Sequence, residues 1–142
     1  MIKVTRISNA DKSFDENWAI VRKLKSNSDW IKQVTELAPS VELFSRFKAL
    51  KDADNWNDTT FQQIYVPQFI SELKHNDSAR KLLNYLYVQD KKGKNICLVC
   101  FCTEENLCHR SIIAGILAGG GCRVETDTGN DYSGYYNMYR SV

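Results

Sequence analysis

The stretch Ile96–Leu117, ICLVCFCTEENLCHRSIIAGIL, decides the fold. Its first seven residues, Ile96 to Cys102, are all apolar, the pattern of a strand buried on both faces and so central in a parallel or mixed sheet. A polar turn follows, and then an apolar helix that opens on Cys108-His109-Arg110 and stops at Gly119-Gly120-Gly121. Asn106 is the best N-cap, which makes Leu107, Cys108 and His109 the first three helical residues. An apolar strand that delivers a loop to a helix N-terminus is a common way to build a ligand site, because the free N–H groups and the helix dipole favour anions there.

Working outward, Ile2 and Val4 alternate with Lys3 and Thr5 as in a half-buried strand. Trp18 to Val21 is short, apolar and β-prone, a second strand that leaves Arg22 at its end; a helix over 16–25 is the alternative. The cluster Ser26-Asn27-Ser28-Asp29 suits a turn and cap, and Trp30, Ile31, Val34 and Leu37 follow at helical spacing, so a helix is expected until Pro39 ends it near Ala38. Ser40 should cap the next helix, with Val41, Leu43, Phe44 and Phe47 as its apolar stripe. Thr59 or Thr60 can cap a third, carrying Phe61, Ile64, Tyr65, Phe69, Ile70 and Leu73, which Pro67 should bend or split. His75 to Ser78 is a break and cap before a fourth helix marked by Leu82, Leu83, Tyr85, Leu86 and Val88. Cys122 to Glu125 can form a short last strand. The pattern predicts one α/β domain over 1–142: a small mixed or parallel sheet flanked by helices, three-layered and Rossmann-like, with a Tyr-rich tail from about residue 126.

Composition narrows the classes. With 142 residues, 43% hydrophobic and 25% charged, the chain can bury a core without disulfide or metal staples. A net charge of +2 sets up no field that calls for nucleic acid. The first residues lack the apolar core of a signal peptide, and no apolar run reaches the roughly 18 to 20 residues of a membrane span. A cytoplasmic protein with no membrane partner is expected. Five cysteines in a reducing compartment read as buried thiols, metal ligands or reactive groups rather than as a disulfide framework.

The chemistry-bearing residues gather in the opening stretch, which holds four of the five cysteines and one of the two histidines. On a helix's first turn, Cys108 would lie where the dipole and a nearby cation enrich the thiolate, the nucleophilic form. His109 is placed to act as a base or proton donor, and Arg110 as a bidentate clamp for phosphate or carboxylate. The competing account is packing, since cysteine is among the most buried residue types. Zinc is disfavoured by strand alternation: Cys100 and Cys102 share a face while Cys97 points oppositely. A set of Cys100, Cys102, Cys108 and His109 is the zinc alternative, but buried thiols account better for cysteines inside an apolar run. No metal or cofactor is assigned. The tail's Tyr132, Tyr135, Tyr136 and Tyr139 can serve as nucleobase platforms or tie the chain's end over the core, and the second suits a terminal segment better.

Three segments resemble the bacterial and phage family catalogued as domain of unknown function 488. Trp18-Ala19-Ile20-Val21-Arg22 is similar to its second strand ending in arginine, and Leu37-Ala38-Pro39-Ser40 with Leu43-Phe44 to its Leu/Ile-Ala-Pro-Ser-x-x-Leu segment. Leu98 to Ala114 is similar to its strand, acidic turn and Cys-His-Arg-Ser helix start, and the Phe61-x-x-x-Tyr65 helix also fits. The resemblance, which runs from the first strand to Leu117, implies a compact α/β fold and carries over Arg22, Ser40, Cys100 or Cys102, Cys108, His109 and Arg110. Many relatives have Asp where this chain has Val21, and Cys-x-Glu where it has Cys100-Phe101-Cys102, which implies a more cationic, anion-seeking pocket here.

Together these readings predict a crevice at the strand ends with Cys108 and His109 as catalytic candidates, and Arg22, Ser40, Cys102, Arg110 and Ser111 as ligand-binding ones. The expected ligand is a phosphate-bearing small molecule, a nucleotide above all. An enzyme acting on it is the first function class; a non-catalytic nucleotide-binding module and a structural or interaction protein with core cysteines are the others.

Overall fold

The computed structural model describes residues 1–24 and 28–141. Its five strands are β1 (Ile2–Arg6), β2 (Glu16–Ala19), β3 (Lys32–Gln33), β4 (Ile96–Cys100) and β5 (Val124–Thr126), in the order β3-β2-β4-β1-β5 with every pairing parallel. The apolar run thus supplies the middle strand, all five of whose residues are buried. It ends at Cys100, the last residue paired with β1, so Phe101 and Cys102 turn out of the ladder.

Ile2 and Trp18 belong to the same face as Ile96 and Leu98 by register, and Trp18 stacks at 5.6 Å on Tyr85 of the helix α4 (Asp77–Lys91). That face therefore meets the helices. The opposite face carries Asn17, whose side-chain amide exchanges hydrogen bonds of 3.2 and 2.8 Å with the backbone of Asp11. The segment from Ile7 to Asp15 accordingly covers that side, and the sheet is enclosed in a Rossmann-like, single α/β domain.

Local signals place most helices. Ser40 accepts the Leu43 N–H at 3.0 Å and starts α1 (Val41–Asp52). Asn57, rather than either threonine, starts α2 (Asp58–Thr60), with a reciprocal cap between Asn57 and Thr60. A π turn over Phe61–Tyr65 leads into α3 (Val66–Lys74). Pro67, which has no N–H to donate, falls in the first turn of α3, so the split expected from it takes the form of a wider turn just upstream. Asn76 caps α4. The next helix, α5 (His109–Gly119), is buried along its whole length from His109 to Leu117, packed against the sheet, α3, α4 and α6 (Tyr135–Arg140).

Further expectations are corrected. Trp30 to Leu37 is not helical: it holds β3 and a 3₁₀ turn at Thr35–Leu37. Lys32 and Gln33 pair with Trp18 and Ala19, and the Val34 N–H donates to the Ala19 carbonyl at 2.8 Å, so the sheet edge takes up backbone groups that a helix would have used internally. Ser26 and Asn27 of the turn-forming cluster lie outside the described residues. The strand expected at Trp18 to Val21 lies two residues earlier as β2, which displaces the helix alternative over 16–25 among the described residues; Lys25 lies outside them. The N-terminal cap of α5 is Cys108, because a 3₁₀ turn at Glu105–Leu107 uses the N–H groups of Leu107 and Cys108 first.

The tail is tied down. Buried Glu105 accepts hydrogen bonds from the Asp127 N–H at 2.9 Å, the Tyr132 hydroxyl at 2.7 Å and the Thr128 hydroxyl. Tyr135 accepts from Gln62 at 2.9 Å. The aromatic residues therefore fasten the chain's end over α5. Among the described residues, no helix is long and apolar enough to cross a membrane.

Candidate functional site

A cleft of about 310 Å³ opens beyond the carboxyl ends of β2 and β4, where parallel sheets place ligands. Val21 and Arg22 follow β2; Cys100, Phe101 and Cys102 follow or end β4; Leu107, Cys108 and His109 lead into α5. The remaining wall is aromatic: Phe44 and Phe47 from α1, Trp56 from the loop after it, and Tyr65 from the π turn. Phe47, Trp56 and Tyr65 meet edge to face at centroid distances of 4.7 to 6.4 Å, which makes a firm apolar wall.

The floor is a thiol cluster. The sulfurs of Cys100, Cys102 and Cys108 all lie within 4.8 Å of one another, Cys100 and Cys108 at 3.3 Å. Alternate residues of a continuing strand would stand about 6.6 Å apart along it, so the turn after Cys100 is what draws Cys102 back. Cys108 can face Cys100 because its side chain makes no helix-capping bond. Cys97 stays outside the cluster, as strand alternation requires.

Electrostatics separates the three thiols. Hydrogen bonds from Cys102 and Cys108, with the Arg110 guanidinium and His109 adding to them, hold the Cys100 thiol far below its ordinary value. Cys102 is pushed up to about 12 chiefly by the bond it makes to Cys100, and burial drives Cys108 well above the usual thiol range. The three thiols thus shift in opposite senses, Cys100 downward and Cys102 and Cys108 upward. A helix-start position predicts a thiolate at Cys108, but that residue is 1% exposed, and burial keeps it protonated beside the Cys100 sulfur at 3.3 Å.

His109 is oriented by the sheet. Its Nε2 lies 2.7 Å from the Ile20 carbonyl and donates to it, which leaves Nδ1 facing the Cys108 sulfur at 3.6 Å, and Phe69 packs edge-on against the ring. Arg110 is not in the cleft. It is 1% exposed and lies behind the thiols, donating to the Cys102 carbonyl at 2.6 Å and the Cys100 sulfur at 3.4 Å, with Asp127 at 3.7 Å. Ser111 is fully buried and donates its hydroxyl to the Cys108 carbonyl at 2.8 Å.

Arg22 does reach the cleft. One of its nitrogens donates to the Pro39 carbonyl at 3.1 Å and the rest of the guanidinium stands at the rim beside Lys23. Ser40 is next door, in a separate hollow of about 160 Å³ that shares Arg22. There its hydroxyl is bonded to Glu72 while capping α1. The expected crevice thus joins Arg22, Cys102, Cys108 and His109, and leaves out Ser40, Arg110 and Ser111.

Sequence reading missed the aromatic wall and the central place of Cys100. A lone Trp56 in an otherwise polar stretch was the available signal for the wall. The Tyr65 ring serves both the core and the cleft.

The fold and this floor define an α/β domain with a cysteine-rich cleft at its strand ends. Over residues 2–121 the chain matches the family DUF488-N3a, described as the active DUF488-N3 subclade, and it belongs to that family. The match ends before the Tyr-rich tail. No curated protein and no solved structure matches the chain.

Proposed function

We propose that the protein binds a phosphate-bearing small molecule of the nucleotide type in this cleft, in a cytoplasmic setting, and acts on it as an enzyme. The observation that carries the reading is the meeting of an aromatic wall with two exposed cations at the mouth of one pocket. Phe44, Phe47 and Trp56 suit a planar base, and Arg22 and Lys23 suit a phosphate. The volume is in the range of small-molecule sites. The thiols at the floor are the reactive groups within reach of such a ligand.

Thermal shift and calorimetry against nucleoside mono-, di- and triphosphates test it. A ligand at about 100 times its Kd should add roughly 2.7 kcal/mol, and Arg22→Ala should weaken binding by about 10-fold or more through the lost charged hydrogen bonds. No stabilisation by any nucleotide, or binding untouched in both Arg22→Ala and Trp56→Ala, rejects the reading. The burial of Cys108 and Arg110 favours a second reading, a non-catalytic nucleotide-binding module. A bound nucleotide recovered chemically unchanged after long incubation selects that one.

A further inference from the structure

We infer that the floor of the cleft is a metal site: Cys100, Cys102 and Cys108 bind one thiophilic d¹⁰ cation, zinc(II) in the first instance, with its fourth coordination position open to the cleft. This inference goes beyond the nucleotide reading and does not depend on it.

The donor set is the first support. Three soft sulfur donors lie within 4.8 Å of one another. A tetrahedral zinc with Zn–S of about 2.3 Å needs sulfur separations of about 3.8 Å, so the 3.3 Å between Cys100 and Cys108 has to open only by a few tenths of an ångström. The three sulfurs come from a strand end, the turn after it and a helix start, with Cys102 half-buried and able to adjust.

The surroundings are the second. Three thiolates around a divalent cation leave one net negative charge, and the Arg110 guanidinium is packed against Cys100 and the Cys102 carbonyl on the side away from the cleft. That places a fixed cation and a hydrogen-bond donor behind the ligands, the outer support that metal sites require. Arg110 Nε is buried without an acceptor among the described residues, so a sulfur that moves toward it on binding metal gains a donor.

The open position follows from geometry. All three cysteines line the cleft, and although His109 Nδ1 lies 3.6 Å from the Cys108 sulfur, no His, Asp or Glu among the described residues has its ligand atom within 4.8 Å of all three sulfurs. Three protein ligands and a vacant fourth position facing a pocket are the arrangement of a zinc that binds water or substrate, in contrast to the closed four-ligand sets of structural zinc.

The test is an anaerobic titration of the reduced, full chain with cobalt(II). The expected result is saturation at one equivalent, with the visible bands of tetrahedral cobalt and sulfur-to-metal charge transfer in the near ultraviolet, both abolished by zinc. Cys102→Ser should weaken binding roughly 100-fold or more, and Cys102→Ala, checked for native far-ultraviolet circular dichroism, should do the same. Cys97→Ser and Cys122→Ser should bind as the parent does. Adding a small thiol should shift the cobalt bands by filling the open position, and His109→Gln should still bind one equivalent. No saturable binding by the parent chain, or full binding in both folded Cys102 variants, overturns the site. Bands insensitive to added thiol, or lost in His109→Gln, overturn the open position.

Discussion

The Arg110 guanidinium lies 3.4 Å from the Cys100 sulfur, on the buried side of the thiol cluster. Its other contacts, the Cys102 carbonyl and Asp127, tie the turn after β4 to the start of the tail. Arg110 is thus a positioning residue: it acts on a ligand only through the sulfurs it holds.

Replacing Arg110 by Met should lower stability by about 3 kcal/mol, the loss typical of removing one partner from a buried charged network. The partly exposed Asp127 moderates the effect. Arg22→Ala, at the exposed rim, should stay within about 0.5 kcal/mol. Urea midpoints of the two variants check the contrast, and equal losses would show that Arg110 holds nothing together.

Gly115 sets the seat of the tail. A Cβ there would stand 1.9 Å from the Tyr132 carbonyl oxygen and 2.7 Å from its carbon, both backbone atoms that cannot swing aside. Gly115→Ala should therefore cost about 1 to 3 kcal/mol by overpacking and expose residues after Thr126 to limited proteolysis. Gly134→Ala meets open space and should leave both the melting temperature and the cleavage pattern as they are.

Asp90 provides a pH signature away from the cleft. Burial raises its pKa, but hydrogen bonds from the Met1 ammonium and the Arg123 N–H outweigh that and hold the carboxyl below its usual value. A depressed folded pKa means that the carboxylate's contribution is complete above the unfolded value of about 3.9 and is lost as pH falls through the folded one. The parent should be more stable than Asp90→Asn at pH 7, and the two urea midpoints should converge below about pH 4. A gap that persists undiminished at pH 3 would refute the assignment.

Cys97 and Cys122 should behave as inert core thiols. Burial pushes each up to about 11, so both are protonated at neutral pH. The stabilisation from keeping them neutral is full below the ordinary thiol value and is lost as pH rises toward 11. Brief iodoacetamide treatment at pH 7.5 (roughly a unit below a free thiol's pKa), followed by peptide mass mapping, should find Cys97 unmodified until urea is added. Rapid native labelling of Cys97 would contradict its burial.

Parts of this were legible because they rest on near-neighbour physics. Ser40 caps α1 through an N–H only three residues on, and Asn76 caps α4 the same way. The segment 30–37 was not, because the spacing of Trp30, Ile31, Val34 and Leu37 satisfies a helix while Lys32 and Gln33 are captured by an edge 14 residues away in register. The cap of α5 slipped from Asn106 to Cys108 because two turn geometries compete for the same N–H groups, and packing against the sheet selects between them.

By itself, the run Ile96 to Cys102 determined a buried central strand and, through the two-residue period of a strand, the exclusion of Cys97 from any site with Cys100. The Cys-His-Arg-Ser motif marked the family and the place. Only the tertiary structure decided that Arg110 faces inward, that Cys100 sits at the centre of the thiol cluster with its pKa lowered, and that α1, Trp56 and Tyr65 wall the cleft. The cleft wall depends on distances between segments 35 or more residues apart, and the Arg110 and Cys100 outcomes on how the turn between β4 and α5 folds back, and no periodicity along the chain encodes either.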